Sequence, residues 1–546
     1  MTAVHGGDVF ARQLVREGVD TIFTLTGGHI SPLLDGCVRA GVRVVDVRHE
    51  QAAAHAADAY ARLTRNVGVA VVTAGPGLTG VVTAVANAHS AGSPLVVVAG
   101  RNPLALEGAG ALQEAPHADL LKPVTKRTDV AFDAWRIGEL LHWACATATA
   151  PRCGPAFLDL PLDVQLTPVD PARIVVPSDR RTVAAAGVDP GVTDAAVKLL
   201  SAASTPVILV GTGAYWADAG PELAAVAEAM NAPVFLNGMA RGLLPTTHPC
   251  VGALARSWAL ERADSVLLVG GDFDFRLGYG RSGLREDVAV IQVDPQADRI
   301  GHNRAVTHGV VGDVRAFLGA VADASGAGRT DKTWLAEVRA EELSREHKRL
   351  PLLRSEQVPI HPLRLATEVA RFADDDAVFV GDGGDVVTAA ASVVRANVPG
   401  HWMDPGPFGC LGIGAPFAMA ARLARPGHQV VALFGDGSFG FNGFEYDSAV
   451  RQSLPFVGVI GNDGAWGEMK AFHRDLFGEE HLVAQDLSRA TRYDLVVEAL
   501  GGYGERVTEP AEIAPALRRA ADSGVPAVVD VHVAPRQQPR HHTSEG

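Results

Sequence analysis

The chain has 546 residues, too many for one hydrophobic core, and is expected to fold as about three domains. Its 48 basic and 62 acidic residues leave a net charge of −14, which argues against nucleic acid or an anionic membrane as the main partner. No apolar run approaches the roughly 18 residues of a membrane span. There is no signal-peptide pattern, and the five cysteines are scattered without metal-type spacing, so a reduced, cytoplasmic setting is expected.

Residues 1–168 alternate apolar strands at 21–25, 42–47, 67–73, 94–99 and 156–160 with helical patterns. This reads as an α/β domain with a mainly parallel sheet. After its first strand, Thr26-Gly-Gly-His29 places a histidine just behind a glycine pair at a helix start. The strand 42–47 runs into Arg48-His49-Glu50-Gln51 and then a very Ala-rich helix to about Arg62. A carboxylate at a strand end beside a small-residue helix face can be buried against a ligand ring, although an acid there also suits plain helix capping. Thr73-Ala-Gly75-Pro76-Gly77 is a strand end and tight turn.

A Pro-containing stretch at 161–189 reads as a linker. A second α/β pattern over 190–325 has strands at 206–210, 233–236, 265–269 and 288–293, with Gly211-Thr-Gly213 after one and Asp294 ending another. A lone Gly-x-Gly is weak evidence for a nucleotide. The charged segment 324–357 reads as a helix and connector.

The third unit, 359–535, has strands at 377–380, 430–434, 456–460 and 527–531, and a polar tail follows at 536–546. The run 430–434 stops on Gly435-Asp436-Gly437-Ser438, where small residues let backbone amides crowd an anion at the start of a helix. The run 456–460 ends on Asn462-Asp463. One carboxylate after each of two neighbouring strands, beside an amide-lined turn, suits a hard divalent cation bridging a diphosphate.

Gly435-Asp436-Gly437 followed at this distance by Asn462-Asp463 resembles the signature of thiamine diphosphate enzymes. The resemblance implies Mg²⁺ held by the side chains of Asp436 and Asp463 and the backbone carbonyl of Ala465. Thiamine diphosphate would then lie along Gly435, Asp436, Gly437 and Ser438 and along Gly383, Gly384 and Asp385, where the family's usual Gln-His pair is absent. Gly409-Cys-Leu411-Gly-Ile-Gly414 is similar to the family's Gly-x-Met-Gly segment, so Leu411 takes the place of the bulky residue that bends the cofactor. The motif around Glu50 resembles that of the acetolactate synthase-like branch. Glu50 is thereby implied to hydrogen-bond the pyrimidine N1′ nitrogen and favour the tautomer that activates thiazolium C2. Gly75 and Pro76 match the loop beside the pyrimidine, while Gly80 stands where many relatives have Asn.

Within that branch, His29 and Gly110-Ala-Leu-Gln113 resemble benzaldehyde lyase and the acetolactate synthase-like type of 2-hydroxyacyl-CoA lyase. The resemblance implies that His29 and Gln113 hydrogen-bond a substrate oxygen and relay its proton, with Glu468 as a further proton carrier. Acetolactate synthases carry Gln-Trp-Gln where this chain reads Ala471-Phe-His473. The implied activity is a C–C lyase and carboligase: cleavage of a 2-hydroxyacyl-CoA to formyl-CoA plus an aldehyde or ketone, and the reverse condensation. An acetolactate synthase-like keto-acid carboligase or decarboxylase is the alternative. The resemblance also implies a small-molecule substrate (an acyl-CoA or a 2-keto acid) and active sites between the subunits of a homodimer or homotetramer. In the middle domain it implies ADP, FAD or no ligand.

Overall fold

The computed structural model describes residues 4–170, 172, 174, 186–325 and 330–535; the tail at 536–546 lies outside the described residues. Within them, eighteen strands form three six-stranded sheets whose ladders are all parallel, an α/β architecture. The first sheet holds β1 (Thr21–Thr24), β2 (Arg43–Asp46), β3 (Gly68–Val72), β4 (Leu95–Arg101), β5 (Arg127–Val130) and β6 (Ala156–Pro161), ordered β2-β1-β3-β4-β6-β5. The middle sheet holds β7 (Pro206–Val210), β8 (Val234–Leu236), β9 (Val251–Gly252), β10 (Ser265–Val269), β11 (Ala289–Asp294) and β12 (His308–Val311). Its order, β12-β11-β10-β7-β8-β9, is that of a dinucleotide-binding sheet, with the reversal between β7 and β10. The third sheet holds β13 (Val378–Asp382), β14 (Trp402–Met403), β15 (Val430–Gly435), β16 (Val457–Asn462), β17 (Tyr503–Val507) and β18 (Ala527–His532). Its order, β14-β13-β15-β16-β18-β17, repeats that of the first sheet strand for strand.

Central strands such as β3, β7 and β10 are buried along their whole length, which is why they read as unbroken apolar runs. The strands that sequence reading passes over are β5, β9, β12, β14 and β17, at or next to sheet edges. They are short or half-buried, and one-sided burial breaks the apolar run. The expected linker also starts later than 161: Pro161 closes β6, and Leu162–Leu166 forms a helix with Val164 and Gln165 buried. The charged stretch after 324 is largely one helix, Thr333–Leu353.

The first and third units share one hydrophobic core. The helix Glu50–Thr64 buries Ala52, Ala53, Ala56 and Ala57 in that core, together with Ala415, Phe417 and Ala418 of the helix Gly414–Ala424. Alanine faces let two helices approach closely, so the strand ends of both sheets are held in fixed relation. The Arg62–Asp58 ion pair (2.7 Å) is buried in the same junction, with Arg62 Nη1 donating to the Asp404 carbonyl (2.7 Å) and the guanidinium lying 5.0 Å from the Phe417 ring centroid. Among the described residues, no helix is long and apolar enough to cross a membrane.

Candidate active site

Strands β15 and β16 are neighbours, with Gly435 opposite Gly461, so Asp436 and Asp463 leave adjacent strand ends. Asp436 opens the helix Asp436–Asn442 and is buried, and its Oδ2 has no hydrogen-bond partner. Burial, then the nearby Asp463, pushes the Asp436 carboxyl up to about 7. Burial, with Asp385 adding to it, pushes Asp463 up to about 6. Asp436 is buried and Asp463 half-buried with Arg489 only partly offsetting its charge, and a divalent ion beside the pair would relieve both. Among the described residues no group of three or more His, Cys, Asp or Glu side chains could hold a metal ion unaided. Mg²⁺ takes one or two carboxylates and fills its other positions with phosphate and water, so Asp436 and Asp463 are the residues that would hold it.

Three turns meet around this pair. A methyl group at Gly383 (φ 131°) would fall 2.9 Å from the Gly435 nitrogen and 3.2 Å from Ser438 Oγ. One at Gly437 would run into the Trp466 indole, one at Gly384 into the Glu468 carboxylate, and one at Gly467 into the Asp463 carboxylate. Gly383, Gly384 and Asp385 therefore pack closely on Gly435 to Ser438 and the 463–468 turn, and the glycines leave backbone exposed where an anion could approach. Ser438 itself ties the turns together, its hydroxyl donating to the Asp382 (2.6 Å) and Gly435 (3.0 Å) carbonyls. The Ala465 N–H donates to Asp463 Oδ1 (3.1 Å).

The Leu411 turn is held from below by a residue that sequence reading did not single out. Asp382, at the end of β13, accepts the N–H groups of Gly412 (3.1 Å) and Gly414 (2.8 Å), and burial pushes its carboxyl up to about 7. Asn442 Nδ2 donates to the Gly412 carbonyl (2.6 Å). An acid closing an otherwise apolar strand was the available signal.

The other predicted residues gather on the first sheet. His29 lies in a short 3₁₀ turn before the helix Ser31–Ala40, packed so close to Gly100 of β4 that a side chain there would strike its carbonyl. Its Nε2 lies 2.9 Å from Asn102 Oδ1 and its Nδ1 3.3 Å from Thr73 Oγ1. The tautomer protonated on Nε2 satisfies both partners. Gln165 Nε2 anchors the turn by donating to the His29 carbonyl (2.7 Å). Asn102 and Gln113 line one cavity of about 350 Å³ with Arg101 and His117. Gln113 adopts φ 63°, and its backbone presses on Gly75.

Glu50 begins its helix with the carboxylate against the Gly75-Pro76-Gly77 turn: a methyl at Gly77 would be 3.6 Å from Oε1, and one at Gly80 3.2 Å from Oε2. The glycine at position 80 thus leaves room for the Glu50 carboxylate. Beneath the turn, the Gly75 N–H donates to His117 Nε2 (3.0 Å), and His117 Nδ1 faces Asp159 Oδ1 (3.0 Å); both side chains are buried. This relay was not legible, because its members are far apart in the chain.

In the middle unit, Gly211 and Gly213 serve packing. Their N–H groups donate to the Val269 and Gly270 carbonyls (both 2.8 Å), and a methyl on either would collide with Gly270. Those two amides are therefore committed within the fold. Nearby, Arg241, Arg256 and Arg276 repel one another; burial, then this repulsion, holds Arg256 below its ordinary range, and Asp274 offsets part of it.

Three family models match the chain: thiamine pyrophosphate enzyme, N-terminal TPP binding domain over residues 4–121, central domain over 193–321, and C-terminal TPP binding domain over 382–531. The chain is 42% identical over 535 residues to the acetolactate synthase large subunit IlvG of Mycobacterium tuberculosis, covering 97% of this chain and 95% of that protein. It is 35% identical to 2-hydroxyacyl-CoA lyase 2 of Caenorhabditis elegans (92% and 85% covered) and 36% identical to that of Homo sapiens (85% and 79% covered). With all three models in order and relatives spanning almost its full length, the chain belongs to the thiamine pyrophosphate-dependent enzymes.

Proposed function

We propose that this thiamine diphosphate enzyme is a C–C lyase and carboligase, cleaving short 2-hydroxyacyl-CoAs to formyl-CoA plus an aldehyde or ketone and running the reverse condensation. The observation that carries this reading is His29, fixed between Asn102 and Thr73 beside the cavity that Gln113 lines. Thiamine diphosphate, when bound, supplies the nucleophilic carbon and electron sink. Asp436 and Asp463, with the Ala465 carbonyl, would hold Mg²⁺, while the 383–385 and 435–438 turns would hold the diphosphate. Glu50 would meet the pyrimidine, and Leu411 would support the cofactor's bend. Lysis beside a hydroxyl needs that hydroxyl's proton removed. His29 would take and return it at Nδ1, releasing the Thr73 hydroxyl while Nε2–H stays on Asn102, and Gln113 and Glu468 would assist. Decarboxylating a 2-keto acid needs no such base.

The half-buried trio Arg241, Arg256 and Arg276 supports a substrate or ligand carrying phosphates, as CoA does. Exposed Phe408, Phe441 and Phe444 near the metal turns support a second copy of the chain completing the site, as a homodimer or homotetramer. The 42% identity to an acetolactate synthase favours the second reading, keto-acid carboligation.

A panel of pyruvate and short 2-hydroxyacyl-CoAs separates the two. Formyl-CoA should appear from the latter, and His29→Ala should lower that turnover by roughly 10²-fold or more while affecting any pyruvate decarboxylation less. Efficient acetolactate formation without formyl-CoA would move the assignment to the second reading.

A further inference from the structure

The residues just before Glu50 are gripped by a carboxylate from the third unit. Glu445, at the start of the helix Glu445–Arg451, is 1% exposed. Its Oε1 and Oε2 lie 2.9 and 3.2 Å from the Arg48 nitrogen, and the adjacent His49 amide favours its charged form. Burial pushes the Glu445 carboxyl up to about 7, so the fold keeps an acid here at a cost. Arg48 and His49 lie outside strand and helix, and their N–H groups have no ladder to join. The same helix reaches the end of β2 at further points: Arg451 pairs with Asp46, Gln452 Nε2 donates to Asp46 Oδ1 (2.6 Å), and Asp447 lies 3.5 Å from Arg48 Nη1. Glu445 also follows Asp436–Asn442 within a few residues, so one short segment joins the candidate metal turn to the candidate cofactor acid.

We propose that Glu445 is a positioning residue for Glu50, fixing the 48–49 backbone so that the Glu50 carboxylate stays aimed over the Gly77 and Gly80 face. An apolar side chain would fill the same space, but only an acceptor can order two adjacent N–H groups. This rests on the reading of Glu50 as the group that meets the pyrimidine.

Hydrogen exchange on the cofactor-free protein gives the first test. The Arg48 and His49 amides should exchange slowly in the wild type and in Glu445→Gln, which keeps a carbonyl acceptor, and quickly in Glu445→Met, which matches the volume without one. With thiamine diphosphate and Mg²⁺ bound, H/D exchange at cofactor C2 should fall roughly tenfold or more in Glu445→Met, the scale of losing hydrogen bonds to a charged group. Glu445→Gln should stay within about threefold of wild type, and calorimetric cofactor affinity should change little in either variant. In a Glu50→Gln background, Glu445→Met should add no further loss, because it acts through Glu50. Fast exchange of both amides in the wild type would overturn the proposal even if the Met variant failed to fold. So would unchanged C2 exchange in Glu445→Met, or a full extra loss on top of Glu50→Gln. If Glu50→Gln alone leaves C2 exchange intact, the reading of Glu50 falls; if only Glu445→Met is silent, that reading survives.

Discussion

The first and third sheets have one strand order and use the same four strand ends, but they furnish those ends differently. The end of β1 leads to His29, and that of β13 to Gly383–Asp385; β2 leads to Glu50, and β14 to Leu411. The end of β3 leads to Gly75 and Pro76, and that of β15 to Gly435–Ser438, while β4 leads to Asn102 and β16 to Asp463. On the first sheet, polar groups are tied into hydrogen-bonded relays: Thr73–His29–Asn102 and Gly75–His117–Asp159. On the third, Asp436 is buried and Asp463 half-buried, they leave adjacent strand ends, and both carboxyls are pushed upward. The shared topology therefore delivers side chains to equivalent places, and local charge decides what each place can hold. A pre-ordered, hydrogen-bonded face suits an aminopyrimidine and a substrate oxygen, and the face with two raised carboxyls suits a cation.

Removing an acid from the third sheet should have the largest effect. Asp436→Ala or Asp463→Ala should weaken Mg²⁺ and thiamine diphosphate binding together by roughly 10²-fold or more, and chelation of Mg²⁺ should do the same to the wild type. Calorimetry giving unchanged cofactor affinity in both variants would erase the distinction between the sheets. Removing the acid from the first sheet should act on rate instead. Glu50→Gln should keep cofactor affinity near wild type and lower turnover by roughly 10²- to 10⁴-fold. A large loss of affinity with turnover preserved at saturation would mean that the first sheet, too, mainly anchors the cofactor.

What was legible in the sequence follows the same division. Asp436 and Asp463 stand out because each follows a strand buried on both faces, so an unbroken apolar run ends abruptly on small and acidic residues. Glu50 and His29 were legible through motif order. Asp382, Asn102, His117 and Glu445 were not, because each acts on a partner remote in sequence; the Arg48–Glu445 bond spans 397 positions. Gly80 looked like a loss relative to related motifs, and the structure explains it as space for Glu50. Gly211 and Gly213 were only weak evidence for a nucleotide, and the structure places them where their backbone crosses that of Gly270. Glycine marks a close approach in every one of these cases, but the approaching group is visible only in three dimensions.

The smallest effect, and the finest test of the comparison, lies in the sixth strand of each sheet. Asp159 in β6 and Asp530 in β18 are both the fourth residue of their strand, and both are fully buried. Asp159 has His117 against it and Arg101 at 3.6 Å, which offset part of the burial that raises its carboxyl. Asp530 has the Asn462 amide (3.0 Å), and burial pushes it up to about 6. A carboxyl raised from 3.8 to about 6 on folding keeps its proton in the native state after the unfolded chain has released its own. Stability from this group is therefore greatest below the unfolded value, falls as pH rises through that window, and is lowest above about 6. Asn cannot ionise and still accepts from Asn462. Asp530→Asn should thus stabilise the protein by about 1–3 kcal/mol at pH ~8 and by little near pH ~4. Asp159→Asn should gain less at the higher pH, because it gives up the compensation from His117 and Arg101 along with the charge. Denaturant melts of both variants at the two pH values decide the matter. An equal or larger gain from Asp159→Asn would show that the two sheets bury their acids on the same terms.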